Sequence, residues 1–133
     1  MPKTALFPMG SKASSSQIKV SPGLVSNGHV FLTGVTGSLA SGVMPEDLED
    51  QFRSAFAKIG AVLSEAGLGY GSIVDMTSYH VGLRDHFDLF NKVRSDYVEE
   101  PYATWTAVEV FGLRREGAVV EIKIIAEVAA NER

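Results

Sequence analysis

The stretch Pro45–Gly67, PEDLEDQFRSAFAKIGAVLSEAG, decides how this chain is read. Leu48, Phe52, Ala55, Phe56, Ile59, Val62, Leu63 and Ala66 recur at three- and four-residue intervals, which places them on one face of an α-helix. Pro45 is pre-set for a first helical turn, and Glu46, Asp47, Glu49 and Asp50 put negative charge where the helix dipole favours it. Gly67 supplies the left-handed position that ends such a helix. One apolar stripe on an otherwise polar helix has to be buried against another layer, and the sequence on both sides is rich in strand-forming residues.

Downstream, Ser72–Val81, SIVDMTSYHV, reads as a strand. Asp85 is placed to cap a second helix, with Asp88 three residues on; Phe87, Phe90, Val93, Arg94 and Tyr97 line its face, and Pro101 marks its end. Ala103–Phe111 and Val119–Val128 read as two more strands joined by the turn GLRREG. Upstream, Gln17–Ser26 reads as a strand bent at Pro22-Gly23, Asn27-Gly28 as a tight turn, and His29–Thr33 as its partner strand, ending at Gly34. Residues 9–16, MGSKASSS, read as a flexible loop, and 35–44 as a Gly- and Ser-rich one. The predicted order is β-β-α-β-α-β-β, an α+β mixed sheet with both helices on one face. If the last two strands pair as a hairpin, Trp105, Glu109, Glu121 and Lys123 share the face away from the helices. A face that mixes apolar bulk with charge suits a subunit interface with a pocket in it.

The bulk properties narrow the function classes. The 133 residues, 45% hydrophobic and 21% charged, fit one domain over 1–133, with 1–16 as an N-terminal strand and loop extension. A net charge of −4 carries no basic footprint, so neither nucleic acid nor membrane is expected as a partner. No cysteine is present, and His29, His80 and His86 lack metal-site spacing, so no metal and no cofactor is expected. No signal-peptide core or membrane-length apolar run is legible, and the expected location is cytoplasmic.

Five stretches in order resemble the Rid/YjgF family of reactive-intermediate deaminases: VSPGLVSNGHVFLTG, QFRSAFAKIGAVLSEAGLGYGSIVDMTSYHV, FDLFNKV, WTAVEV and GAVVEIKIIA. The match covers about residues 17–128, and the pairing of DMTSYH with PYATWTAV is similar to the YjgH-like branch. The resemblance implies a chorismate-mutase-like trimer with helices outside, sheets inside and three clefts between subunits. It implies hydrolysis of a small imine or enamine, with Glu121 positioning water and the turn at Gly34 contributing to the pocket. Trp105 falls where the deaminases keep an arginine that holds the substrate carboxylate. An indole offers one N–H and no charge, so it does not replace a bidentate guanidinium. Ser21 falls where the family carries a tyrosine, and Arg84 where it usually carries asparagine.

Each candidate also has a plainer role. Glu121 is a water-positioning base, or an ion-pair partner of Lys123 or of a neighbouring subunit. Trp105 stacks on a planar ligand, with Thr106 and Ala107 beside it orienting that ligand, or it packs an interface. His80 is an acid–base group or a structural strand histidine. Arg84 and Lys123 are replacement anion contacts, or a solvated loop arginine and a paired lysine. Gly34 presents its N–H to a ligand or serves the turn. Two functions follow: an imine or enamine deaminase, or a non-catalytic small-molecule binder or sensor on the same scaffold.

Overall fold

Helix α2, Leu48–Glu65, is the predicted amphipathic segment. Asp47 caps it, its carboxylate accepting from the Asp50 N–H at 3.0 Å, and Glu49 and Asp50 occupy the first turn. Phe52, Ala55, Phe56, Ile59, Val62 and Leu63 are buried, and Gly67 takes a positive φ just past the helix end. The computed structural model describes residues 2–128. Met1 and 129–133, the ends of the expected 1–133 domain, lie outside the described residues.

Around α2 run β1 (Thr4–Leu6), α1 (Lys12–Ile18), β2 (Gly23–Ser26), β3 (His29–Leu32), β4 (Ile73–His80), α3 (Leu83–Arg94), β5 (Thr104–Glu109) and β6 (Val120–Glu127). The six strands form one mixed sheet in the order β1-β2-β3-β6-β4-β5, with β4 and β5 parallel and every other pair antiparallel. Asn27 and Gly28, both at positive φ, make the expected β2–β3 turn. The fold class is therefore α+β, as the sequence predicts.

Three local expectations differ from the structure. Residues 12–18 form a short helix rather than a loop; Ser15 packs inward and Lys19 ends the turn at φ 60°. Because α1 takes Gln17 and Ile18, the strand starts only at Gly23. The cap of α3 is Gly82 rather than Asp85, and the acceptor its N-terminus needs comes from Glu109, which takes hydrogen bonds from the N–H groups of Gly82 and Leu83 at 3.0 and 2.7 Å. Glu109 is thus a helix cap on a neighbouring strand and lies on the helix side of the sheet, not on the face away from the helices.

The topological difference is larger. β5 and β6 do not form a hairpin. After Glu109 the chain passes β4 and inserts β6 between β3 and β4. The compositions explain this placement. Val120, Ile122, Ile124 and Ala126 are fully buried beneath the helices, which suits a central strand, whereas Thr104, Thr106 and Glu109 of β5 are exposed at the edge. Buried Gln51 fixes the incoming loop. Its Nε2 donates to the Pro45 and Gly117 carbonyls at 2.8 and 2.9 Å, and its Oε1 accepts from the Val119 N–H at 3.1 Å.

The core lies between the sheet and the two long helices. Phe52 meets Phe90 edge-on with centroids 5.1 Å apart, and Phe56 stacks on Tyr97 at 4.6 Å. Gly37 closes the other end of α2. A Cβ there would lie against the Gln51 carbonyl oxygen and 2.7 Å from its Cα, both backbone atoms that cannot swing aside. Gly37→Ala is expected to destabilise the fold by about 1–3 kcal/mol, read as a lowered urea midpoint at unchanged slope.

Candidate functional site

Glu121 and Lys123 extend from β6 on the sheet face away from the helices, because their neighbours Val120, Ile122 and Ile124 are committed to the core. Just after β3, Val35 exchanges backbone hydrogen bonds with Ile122 at 2.9 and 2.8 Å, which brings Gly34 beside Glu121. A Cβ on Gly34 would lie 2.7 Å from Glu121 Oε2, so the glycine is what makes room for that carboxylate. Among the described residues the Glu121 carboxylate has no hydrogen bond or ion pair. Lys123 instead donates to the Leu32 carbonyl at 3.0 Å, so the alternative of a Glu121–Lys123 ion pair is not formed within the chain. Ser21, Thr33, Phe31 and Lys123 line a cleft of about 300 Å³ on this side, and Thr33 Oγ1 donates to the Ser21 carbonyl at 2.8 Å. Thr106 shares this face, since it pairs with Thr77 and Thr77 with Lys123.

Trp105 lies on the opposite face. Its register partner is Met76 of β4, which points into the core, so Trp105 and Ala107 face the helices. The expectation that Trp105 shares a face with Glu121 assumed a β5–β6 hairpin; pairing with β4 reverses it. The indole stacks on Phe87 at 5.6 Å, and Arg94 sits over it at 4.0 Å from the ring centroid. Its Nε1 donates to Ser78 Oγ at 2.9 Å.

That hydroxyl begins a buried polar chain. Ser78 Oγ is 2.8 Å from His80 Nε2, and His80 Nδ1 is 3.0 Å from His86 Nε2. Ser78 and His80 are fully buried, and His86 is 5% exposed. One nitrogen of the histidine pair must donate and the other accept, so a proton added between them would set two donors face to face. Burial, and secondarily the neighbouring His86, push His80 down to about 4; burial also lowers His86, against the opposing pull of Glu109 and Asp85. His80 is therefore neutral at neutral pH, with both ring nitrogens engaged within the chain. Glu109 is itself held below the usual carboxylate range by the N–H groups of Gly82 and Leu83.

The sequence-selected residues thus divide. Gly34 and Glu121 are in contact, with Ser21 and Lys123 together in the nearby cleft and Thr106 on the same face. Trp105, Ala107 and His80 are on the helix side. Arg84 is exposed on α3 and joins neither group. Ser78, His86 and Arg94 were not foreseen. Ser78 and His80 carry a signal, because residues two apart on a strand share a face, but His86 and Arg94 arrive from a helix whose placement the sequence does not encode. No group of three or more His, Cys, Asp or Glu residues among the described residues is arranged to hold a metal ion, and no helix there is long and apolar enough to cross a membrane.

The histidine pair predicts an acid-labile fold. The unfolded chain takes up a proton near the ordinary histidine value of about 6.5, whereas folded His80 resists until about 4. Stability is fully present above about pH 6.5 and is lost as pH falls below it, by up to about 1.4 kcal/mol per pH unit for one such group. Urea unfolding between pH 7 and pH 5, above most carboxylate titrations, reads this; a flat profile contradicts it.

The family model for Endoribonuclease L-PSP matches residues 11–128. The chain is 33% identical over 127 residues to the RutC family protein YjgH of Escherichia coli, covering 95% of each chain. The YjgH structure superposes with a TM-score of 0.86 at 32% identity, over 96% of this chain and 98% of that one. A protein of Escherichia coli named "Putative reactive intermediate deaminase TdcF" is 33% identical over 89 residues, 65% of this chain and 67% of its own. A TdcF structure with bound serine superposes at a TM-score of 0.74, with 29% identity over 80% of this chain and 86% of that one. The chain belongs to the Rid/YjgF family, described as endoribonuclease L-PSP.

Proposed function

We propose that this chain is one subunit of a trimeric hydrolase that deaminates a small imine or enamine in clefts shared between subunits, with Glu121 positioning the attacking water. The observation that carries this reading is the Glu121 carboxylate, half-buried, without a partner among the described residues, and accommodated by Gly34. A carboxylate left open beside a backbone turn can accept a proton from water as its oxygen adds to the C=N carbon. That proton passes to the imine nitrogen to give a carbinolamine, and as the C–N bond breaks the hydroxyl proton follows it to nitrogen, leaving a carbonyl compound and ammonia. An enamine substrate first takes a proton on carbon to become the imine.

Trp105 supports the shared-cleft part of this reading. It cannot approach Glu121 through its own sheet, because the two occupy opposite faces. A cleft between copies would let the Trp105 edge of one subunit face the Glu121–Gly34 turn of another. The exposed Phe31 and the half-buried Tyr79 and Ile125 on the helix-free face give such an assembly apolar area to bury. Trp105 brings no charge of its own, but the Arg94 guanidinium stacks on it and, among the described residues, hydrogen-bonds with its side chain to Asn91 Oδ1 at 3.2 and 3.0 Å. Arg94, rather than Arg84, is the cation beside the position of the family arginine.

A second reading, a non-catalytic binder or sensor, is favoured by one observation. The Trp105 indole is already committed to Ser78 and held between Phe87 and Arg94, as a fixed wall would be. Ammonia release from enzymatically generated 2-aminoacrylate and from a 2-aminomuconate-type substrate separates the two. Under the hydrolase reading, Glu121→Ala lowers kcat/KM by about a hundredfold or more while leaving the oligomer intact by light scattering, and Gly34→Ala, which crowds the carboxylate, also impairs turnover. Full activity in Glu121→Ala refutes the mechanism. Ligand-dependent shifts in Tm without turnover on either substrate favour the binder.

A further inference from the structure

A second cleft, of about 530 Å³, lies on the helix side of the sheet, between the segment Pro8–Ser14, the loop Ser38–Ala40 and the flank of α2. Its walls are largely apolar, with Met9, Leu39, Ala57, Ala61 and Val62 among them, and Lys58 is the one charged residue that lines it. Lys58 Nζ donates to Ser38 Oγ at 3.0 Å. The Arg115 Nη1 donates to the same oxygen at 3.3 Å, while its Nη2 holds the Gly42 carbonyl at 2.7 Å. Thr36 Oγ1 approaches that oxygen too, at 3.4 Å. Ser38 is only 6% exposed.

This convergence is electrostatically incomplete. Two cations share one neutral hydroxyl, and neither has an acidic partner among the described residues, where both ion pairs belong to Arg53. Burial first, and the repulsion of Arg115 second, lower the Lys58 ammonium from its ordinary value. In a chain of net charge −4, two half-buried cations held together are a local exception. An anion would relieve the repulsion and take up donors that one serine oxygen cannot satisfy, since Lys carries three N–H groups and Arg five. The apolar walls on the other side of Lys58 suit a hydrocarbon body rather than a bare inorganic ion, and the volume is in the range of small-molecule sites.

We propose that this cleft binds a small aliphatic carboxylate, its head group on Lys58 in the field of Arg115 and its chain along Leu39, Ala57 and Ala61. The site is separate from the Glu121 face and does not depend on the reaction proposed there.

Titration calorimetry of the full chain with octanoate, inorganic phosphate and 1-octanol tests the assignment. Octanoate is expected to bind saturably, one per chain, with phosphate and octanol each at least about tenfold weaker, because each lacks one half of the recognition. Lys58→Met is expected to weaken octanoate about tenfold or more and Arg115→Gln to weaken it measurably, with melting curves confirming that both variants fold. In the unmodified protein, octanoate should shift the amide resonances of Ser38, Ala57 and Ala61. No saturable binding, undiminished binding in Lys58→Met, phosphate binding as tightly as octanoate, or shifts centred on Glu121 would each overturn the proposal.

Discussion

The position of β6 governs the rest of the molecule. Four of its side chains, Val120, Ile122, Ile124 and Ala126, are fully buried beneath the helices, and the strand pairs with β3 on one side and β4 on the other. Because side chains alternate along a strand, burying that set leaves Glu121 and Lys123 on the opposite face. The same pairing displaces β5 to the sheet edge and turns Trp105 toward α3. A one-residue slip of β6 would drive two charges into the core, so the register is enforced by desolvation.

The polar groups inside the fold follow from that arrangement. Ser78 and His80 lie on the buried face of β4 beside Trp105, and α3 lays His86 across them. No buried side-chain nitrogen or oxygen among the described residues is left without a partner. Glu109 stabilises the start of α3 from the end of the adjacent strand, where its charge meets N–H groups that the helix cannot satisfy itself. The helix that carries His86, Phe87 and Arg94 is therefore tied at its N-terminus to the strand that carries Trp105.

This packing changes what the tryptophan means. Where the resemblance places the family's arginine, the chain has an indole whose N–H is committed to Ser78 and whose ring stacks on Phe87 and lies under Arg94. The substitution is accommodated by neighbours on α3, which also bring a guanidinium close to the place it left. Glu121 and Gly34, by contrast, lie against one another on the opposite face of the sheet. Rid/YjgF membership thus rests on the scaffold and the family match.

The sequence by itself determined the family, the long helix α2, the β2–β3 turn and the alternation within each strand, because all of these are written in local spacing. It placed Glu121 with Gly34 through resemblance to the family motifs. It did not determine the partner of β5, the helical state of residues 12–18, or the cap supplied by Glu109. Alternation says which residues of a strand share a face, but not which face meets the helices. That choice depends on hydrogen-bond pairing between segments distant in the chain, and it is settled by which strand can bury the most apolar surface at the centre of the sheet. Only the tertiary structure, by seating β6 there, decided that Trp105 and Glu121 stand on opposite sides.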